Sequence, residues 1–213
     1  MKIVRAGPAD AETLARFFGE AFVADPLMSY FFHDSPLGQA RATEAFFCLL
    51  ARARLALNMP VLVASRGGEI LAAAMGYDTT RPQWPEGLEA EWQSMIDNTP
   101  GLARRFADYD LVSDPRVPTQ PHYYLGVIGV AAAGRGAGLG GALLEAFCAD
   151  SERDARSAGV YLETATPQNI GFYQAHGFEL RGVGDLGSGQ LWCFYRPQGR
   201  TSHEVLRRTI VPG

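Results

Sequence analysis

The sequence predicts an α/β fold: a mixed, mostly antiparallel sheet with one pair of parallel strands and helices on its flanks. Three observations carry this. Short runs rich in β-branched and aromatic residues alternate with longer stretches of helical periodicity along most of the 213 residues. A helical stretch separates the strand-like runs at 122–130 and 160–164, and a helix between two strands implies a right-handed crossover, hence a parallel pair. Elsewhere the connections are short. Gly67-Gly68 is a two-residue hairpin signal, and the last two runs, 178–183 and 190–196, read as a hairpin.

The elements follow in order. Residues 2–5 form a short first strand. Pro8 suits the first turn of a helix, and Asp10 places a carboxylate near its positive end. Leu14, Phe17, Phe18, Ala21 and Phe22 recur at helical spacing, and Asp25-Pro26 stops that helix. A second helix is expected over 36–57, with Phe46, Phe47 and Leu50 on its apolar side. Residues 61–64 and 70–77 are the two arms of the hairpin. The stretch 79–121 differs in texture. Pro82, Pro85, Pro100, Pro115, Pro118 and Pro121 punctuate it, leaving two short helices near 88–97 and 102–109. It reads as an insertion that serves as a lid, a substrate wall or a packed connector. In the strand at 122–130, Gly126 suggests a bulge. A long helix is expected over 139–158, ended by Gly159. A strand at 160–164 and a short helix at 169–176, closed by Gly177, precede the final hairpin. One domain is therefore expected over 1–196, with a weakly patterned tail at 197–213 in which 202–208 reads as one short helix.

Composition narrows the function. Hydrophobic residues make up 47% and charged residues 20%, which suits a packed globular core rather than a disordered chain. No window approaches the roughly 18 apolar residues of a membrane span, and Met1–Arg5 lacks the apolar run of a secretory signal. A net charge of −4, with no basic cluster longer than Arg104-Arg105 or Arg207-Arg208, argues against a nucleic-acid binder. Cys48, Cys148 and Cys193 have no metal-ligand spacing, so no metal is expected, and three sparse thiols suit a reducing, cytoplasmic setting.

Glycine is over-represented, at 24 residues, and much of the excess lies between Gly126 and Gly141. Gly134-Arg135-Gly136-Ala137-Gly138-Leu139-Gly140-Gly141 joins a strand to a helix start, where unpaired N–H groups and the helix dipole favour phosphate. A nucleoside triphosphate loop would need Lys-Ser/Thr after its last glycine, and Ala142-Leu143 stands there instead. Gly136-x-Gly138-x-x-Gly141, with Glu163 some twenty residues on, also matches a dinucleotide fingerprint. Against that, residues 131–135 intervene after the strand, and too little chain follows Glu163 for further βα units.

A different pattern fits better. Arg135-x-x-Gly138-x-Gly140 satisfies the Q/R-x-x-G-x-G/A loop of the GNAT superfamily of acetyl-CoA-dependent acyltransferases. About 30 residues later, Asn169-Ile170-Gly171-Phe172-Tyr173-Gln174-Ala175-His176-Gly177-Phe178 looks like that family's second signature, on the short helix after the next strand. The sequence thus resembles a GNAT acetyltransferase over roughly residues 3–196. Its pattern is most similar to puromycin N-acetyltransferase-like members, in Val127-Ile128-Gly129-Val130, Leu162-Glu163-Thr164, Pro167-Gln168-Asn169 and Leu191-Trp192-Cys193.

The resemblance implies an N-acetyltransferase that passes acetyl from acetyl-CoA directly to the primary amine of a small molecule, in a ternary complex without a covalent enzyme intermediate. The pantetheine arm is expected along Ile128, Gly129 and Val130, where splayed parallel strands leave backbone groups free. The pyrophosphate is expected on Arg135, Gly136, Ala137, Gly138, Leu139, Gly140 and Gly141, with Asn169 and Tyr173 also near the cosubstrate. Tyr173 is similar to the family's general acid. Cys148 lies within a helix and is poorly placed as a nucleophile. For the general base, Glu163 is the first candidate and His122 the second; each could instead be structural. Asp25 could attract a cationic amine or simply cap a helix. Among the aromatics Phe18, Phe22, Tyr30, Phe31, Phe32, Trp84 and Trp92, mostly core, Phe22 and Tyr30 are candidates for the acceptor pocket. A non-catalytic acyl-CoA sensor and a protein or peptide N-acetyltransferase are the competing functions. The acceptor, the acyl chain length and the oligomeric state, a homodimer included, are left open.

Overall fold

The computed structural model describes residues 1–199; the helix expected at 202–208 lies outside the described residues. Seven strands form one sheet: β1 (Ile3–Arg5), β2 (Val61–Arg66), β3 (Glu69–Tyr77), β4 (Tyr123–Val130), β5 (Gly159–Thr164), β6 (Glu179–Leu186) and β7 (Gly189–Pro197). Their order is β1-β2-β3-β4-β5-β7-β6. The β4–β5 pair is parallel and every other neighbouring pair is antiparallel, the mixed α/β arrangement expected from the sequence. Seven helices flank the sheet: α1 (Ala11–Phe22), α2 (Pro26–Phe32), α3 (Gln39–Ala56), α4 (Glu86–Asn98), α5 (Leu102–Ser113), α6 (Leu139–Arg153) and α7 (Ile170–Ala175).

The two sheet faces carry separate cores. On one face Leu14, Phe18, Phe47, Ala73, Met75 and Val127 pack together beneath α1, α2 and α3. On the other, Ala72, Ala74, Leu143, Phe147, Leu162 and Phe194 pack against α6 and α7. The alternation of Ala72, Ala73 and Ala74 between faces follows from the two-residue period of a strand. Small side chains there let both helical layers approach the sheet.

The β3–β4 register fixes the site. Met75 pairs with Val127 but Gly76 pairs with Leu125, so Gly126 is the extra, bulged residue of β4, as the sequence suggested. The bulge exchanges the faces of the strand. Before it, Tyr123 and Leu125 face the α6 core; after it, Ile128 and Val130 do, while Val127 turns to the α1–α3 core. β4 and β5 pair only at Tyr123–Val160 and Tyr124–Tyr161. Beyond that point the strands diverge, and the β5-facing edge of β4 has no strand partner.

Several boundaries differ from the sequence expectation, each for a local reason. Asp25-Pro26 does stop α1, but it also starts α2. The Asp25 carboxylate accepts from the Leu27 N–H (2.9 Å) and the Met28 N–H (3.3 Å), and Pro26 needs no N–H in the first turn. The helix expected from 36 starts at Gln39, after Gly38 at φ 77°. The helix expected to run to 158 ends at Arg153, because Asp154 leaves in extended backbone and accepts from the Arg156 N–H (3.0 Å). Gly159 therefore does not cap a helix. It opens β5, where a Cβ would overlap the carbonyl oxygen of Arg196 on β7. Gly67 and Gly68 both have positive φ, as a type I′ hairpin requires. The 79–121 stretch carries α4 and α5, both longer than expected.

Gly76 faces the bulge at its tightest point, where a Cβ would overlap the Tyr124 carbonyl oxygen and press on the Phe147 ring. Gly76→Ala is expected to lower the unfolding free energy by roughly 3 kcal/mol or more, read as a fall in urea midpoint at unchanged slope.

Candidate active site

A cavity of about 440 Å³ opens where β4 and β5 diverge. Tyr124, Gly126 and Ile128 of β4 and Glu163 of β5 supply its floor, and Asn169 and Tyr173 close one side. Phe22, Phe31, Phe46 and Phe47 from α1–α3 supply the opposite wall, and Trp92, Ile96, Phe106 and Tyr109 from α4 and α5 a third. The 79–121 stretch is therefore a wall of this cavity. Phe46, Trp92 and Phe106 are in continuous ring contact, with Trp92 and Phe106 stacked at 5.2 Å.

Glu163 stands at the end of the short parallel pairing, where β5 turns away from β4. Burial is the largest influence on its carboxyl and pushes the pKa up to about 7. Hydrogen bonding with the Tyr124, Tyr161 and Tyr109 hydroxyls pulls the other way without cancelling it. The same surroundings raise the Tyr109 and Tyr124 hydroxyls far above their ordinary value, by burial first and by the nearby carboxylate second. These phenols stay protonated and can donate hydrogen bonds to Glu163.

Tyr173 is buried beside Phe178 and Phe194, yet reaches the cavity. Its helix neighbour Phe172 points elsewhere, against His176 and the start of α6. Successive helical residues face about 100° apart, which makes this division unavoidable. Burial, then the charge of Asp25, hold the Tyr173 hydroxyl well above the usual tyrosine range. Asn169 donates weakly to Thr164 Oγ1 (3.4 Å) at the same rim.

The other sequence candidates are distributed differently. Phe22 and Asp25 line the cavity. Asp25 is nevertheless engaged: one oxygen caps α2 and the other accepts from the Thr166 hydroxyl (3.2 Å). Tyr30 lies outside the cavity, over Gly187, and donates to Asp108 (3.1 Å). His122 is also outside it. Its ring sits edge-on to Tyr161, Nδ1 donates to the Gln120 carbonyl (2.8 Å), and Nε2 then accepts from Arg81. Burial lowers its pKa, so the imidazole is neutral with both nitrogens occupied. Cys148 is buried in α6, its thiol pushed up to about 12 by burial. Among the described residues no group of three or more His, Cys, Asp or Glu could hold a metal, and no helix is long and apolar enough to cross a membrane.

The glycine loop lies beyond β4. Gly136 and Gly138 both have φ above +70°, and a Cβ at either would meet nothing within 4 Å, so the backbone is bare and faces open space. The first bond of α6 runs from the Ala142 N–H to the Gly138 carbonyl (3.0 Å). The N–H groups of Leu139, Gly140 and Gly141 precede it and point out of the helix start. Arg135 is exposed beside them and forms no ion pair among the described residues. This cradle suits a diphosphate. The free edge of β4 along Ile128, Gly129 and Val130 leads from it towards the cavity, so the residues present fit a carrier of the coenzyme A type. Two of these glycines have packing duties as well. A Cβ at Gly129 would crowd Phe22 (3.1 Å), and one at Gly141 would press on His176.

Sequence reasoning missed Arg54, Phe106, Tyr109 and Tyr124, and named Trp92 only among the aromatics without placing it in the pocket. Arg54 had a signal: it falls one helical turn after Leu50, on the apolar stripe of α3.

Residues 105–180 match the family model described as an acetyltransferase (GNAT) domain, a span that takes in β4, the glycine loop, α6, β5 and α7. Solved structures share the fold. The chain is similar to a protein described as histone acetyltransferase HPA2 and related acetyltransferase from Corynebacterium glutamicum, with 24% identity over 94% of this chain and 98% of that one, at a TM-score of 0.67. It is similar to the polyamine N-acetyltransferase of Drosophila melanogaster, which forms N-acetylagmatine (17% identity, 92% and 100% covered, TM-score 0.58). It is also similar to Naa20 of Chaetomium thermophilum, solved with a bisubstrate analogue (17% identity, 100% and 92% covered, TM-score 0.52). The family match over residues 105–180 supports an enzyme of the acetyltransferase kind, and the solved structures share its fold.

The raised pKa of Glu163 has a consequence for stability. The folded protein holds this proton more tightly than the unfolded chain does. The resulting stabilisation is complete below pH about 4.5 and is lost as pH rises through about 7. Glu163→Gln is therefore expected to exceed the wild type in unfolding free energy at pH 8, by up to about 3 kcal/mol, with the gap closing towards pH 4.5. Urea titrations at the two pH values measure it.

Proposed function

We propose that this chain is an acetyl-CoA-dependent N-acetyltransferase that acetylates the primary amine of a small molecule directly. One observation carries the proposal: a bare glycine cradle, a free strand edge and a cavity holding both a carboxyl of pKa about 7 and a buried phenol lie in continuous succession. The resemblance to puromycin N-acetyltransferase-like members, and a cavity walled by aromatic side chains, support a small acceptor with an apolar body.

Acetyl-CoA, when bound, supplies the acyl thioester. The amides of Gly136 to Gly141 hold its diphosphate, assisted by the charge of Arg135, and the edge of Ile128–Val130 aligns its amide arm. Asn169 orients the arm at the rim. An alkylamine of pKa near 10.4 is only about one part in 10³ neutral at pH 7. Glu163 receives the proton that the acceptor must lose, and its raised pKa matches that task near neutral pH. Tyr173 keeps its proton at Oη throughout this range and donates a hydrogen bond to the departing sulfur. Full proton transfer from so weak an acid to a thiolate of pKa ~8.5 would be uphill. Phe22 packs at the acceptor end, and Asp25 acts there mainly by holding α2 in place. With Tyr30 and His122 outside the cavity, acceptor contacts fall instead to the α4–α5 wall.

Thiol release from acetyl-CoA with a panel of primary amines tests the reading. Release above the amine-free rate is expected, whereas acetyl-CoA binding without release by any amine would favour a sensor. Tyr173→Phe is expected to lower kcat about 10- to 100-fold with acetyl-CoA affinity within twofold of the wild type. Gly138→Val forces a β-branched residue into the left-handed region and covers the open cradle. It is expected to weaken acetyl-CoA binding at least about tenfold by calorimetry.

A further inference from the structure

Resting on that reading of the cavity, we propose that the acceptor carries a carboxylate as well as its amine, and that Arg54 is the residue that binds it. The acceptor class is an amino acid with an aromatic or branched apolar side chain.

Among the described residues three arginines are buried: Arg54, Arg105 and Arg196. Two of them hold carboxylates. Arg105 bonds both oxygens of Asp34 (3.1 and 2.8 Å), and Arg196 holds Glu145 at 3.0 Å. Arg54, only 4% exposed, has no carboxylate within 4.0 Å among the described residues. Its Nη1 donates to the Leu50 carbonyl of its own helix (3.2 Å), and its guanidinium lies over the Tyr77 ring at 4.6 Å. Its Nε has no hydrogen-bond partner. Arg105 also leaves its Nε unpaired, but both of its terminal nitrogens are on Asp34. In Arg54 it is the Nε–Nη2 edge, the fork that grips a carboxylate with two parallel bonds, that is left over.

The residue lies at the cavity, with Nη2 on the side of β4. Arg54 is among its lining residues, and Nη2 lies 3.2 Å from the point where a Cβ on Gly126 would stand. The bulge residue, by lacking a side chain, leaves room beside Nη2. Arg54 is also the one cation among the lining residues, against the three acids Asp25, Asp110 and Glu163. A dianion would be repelled by that set, whereas one carboxylate opposite one guanidinium is balanced. Tyr124 stands between the two functional charges, close enough to both Glu163 and Arg54 to feel each. An acceptor lying across Tyr124 would direct its amine to Glu163 and its carboxylate to Arg54. Its side chain would lie among Phe46, Phe47, Trp92 and Phe106.

Matched pairs that differ only by the carboxylate decide this: phenylalanine against phenethylamine, and leucine against 3-methylbutylamine. Thiol release gives kcat/KM, and quenching of the cavity Trp92 fluorescence gives binding without acetyl-CoA. The wild type is expected to favour the carboxylated member of a pair at least tenfold in either readout. Arg54→Met is expected to bring that ratio to near one, and Arg54→Lys to restore part of it, which a purely structural arginine would not do. Should Arg54→Met fail to fold, the wild-type ratio and the lysine variant still decide. Equal response to both members, preference for the decarboxylated amine, or response to neither overturns the inference. Thiol release with other amines in those cases leaves the acetyltransferase reading intact, and carboxylate-dependent quenching without thiol release from any amine would retain the Arg54 site while removing that reading.

Discussion

Where β3 pairs with β4, Gly126 has no partner, and the rest of the site depends on that one unpaired residue. The extra residue rotates the second half of β4, so that Val127 turns to the α1–α3 core and Ile128 and Val130 to the α6 core. It stands just past Tyr124, the last residue of β4 that pairs with β5. A regular β4 paired along its whole length would close the gap between the two strands. It would also place a side chain where the Arg54 guanidinium now reaches. Gly76 across the ladder has the complementary constraint, since no Cβ fits beside the Tyr124 carbonyl.

The gap so created is apolar on most sides and charged at a few points, and this combination sets its chemistry. Burial raises the proton affinity of Glu163 into the neutral range, against the opposing pull of the surrounding phenols. Tyr173 gains the opposite property from the same cause: burial makes it a weaker acid and a steady hydrogen-bond donor. Among the described residues no carboxylate lies within 4.0 Å of Arg54. A low-dielectric site amplifies each of these effects, because an unpaired charge or a misplaced proton costs more there than in water. The ring contacts of Phe46, Trp92 and Phe106 give that environment a continuous apolar wall.

Much of the fold was legible from local pattern. The Gly67-Gly68 turn, the glycine loop and the α7 signature rest on interactions within a few residues, and the bulge at Gly126, though it forms against β3, was marked by a glycine inside a strand pattern. Boundaries failed where one residue could serve two elements. Asp25-Pro26 ends α1 and begins α2, and Gly159 packs under a β7 carbonyl rather than capping α6. Of the sequence candidates, Glu163, Tyr173, Phe22 and Asp25 line the cavity, whereas His122 and Tyr30, chosen by residue type, do not. Their neighbours Arg81, Gln120 and Asp108, two of them distant in sequence, decide their surroundings.

By itself, then, the sequence determined the strand-loop-helix cradle with its left-handed glycines and the placement of a tyrosine one turn into α7. Those features need only backbone sterics, helix ends and residues close along the chain. Tertiary structure alone decided that α4 and α5 wall the cavity, that the Glu163 pKa rises to about 7, and that Arg54 is buried beside Gly126 without a carboxylate partner among the described residues. Each of these is a property of surroundings assembled from segments far apart in sequence, and neither burial nor an unpaired charge can be read before those segments meet.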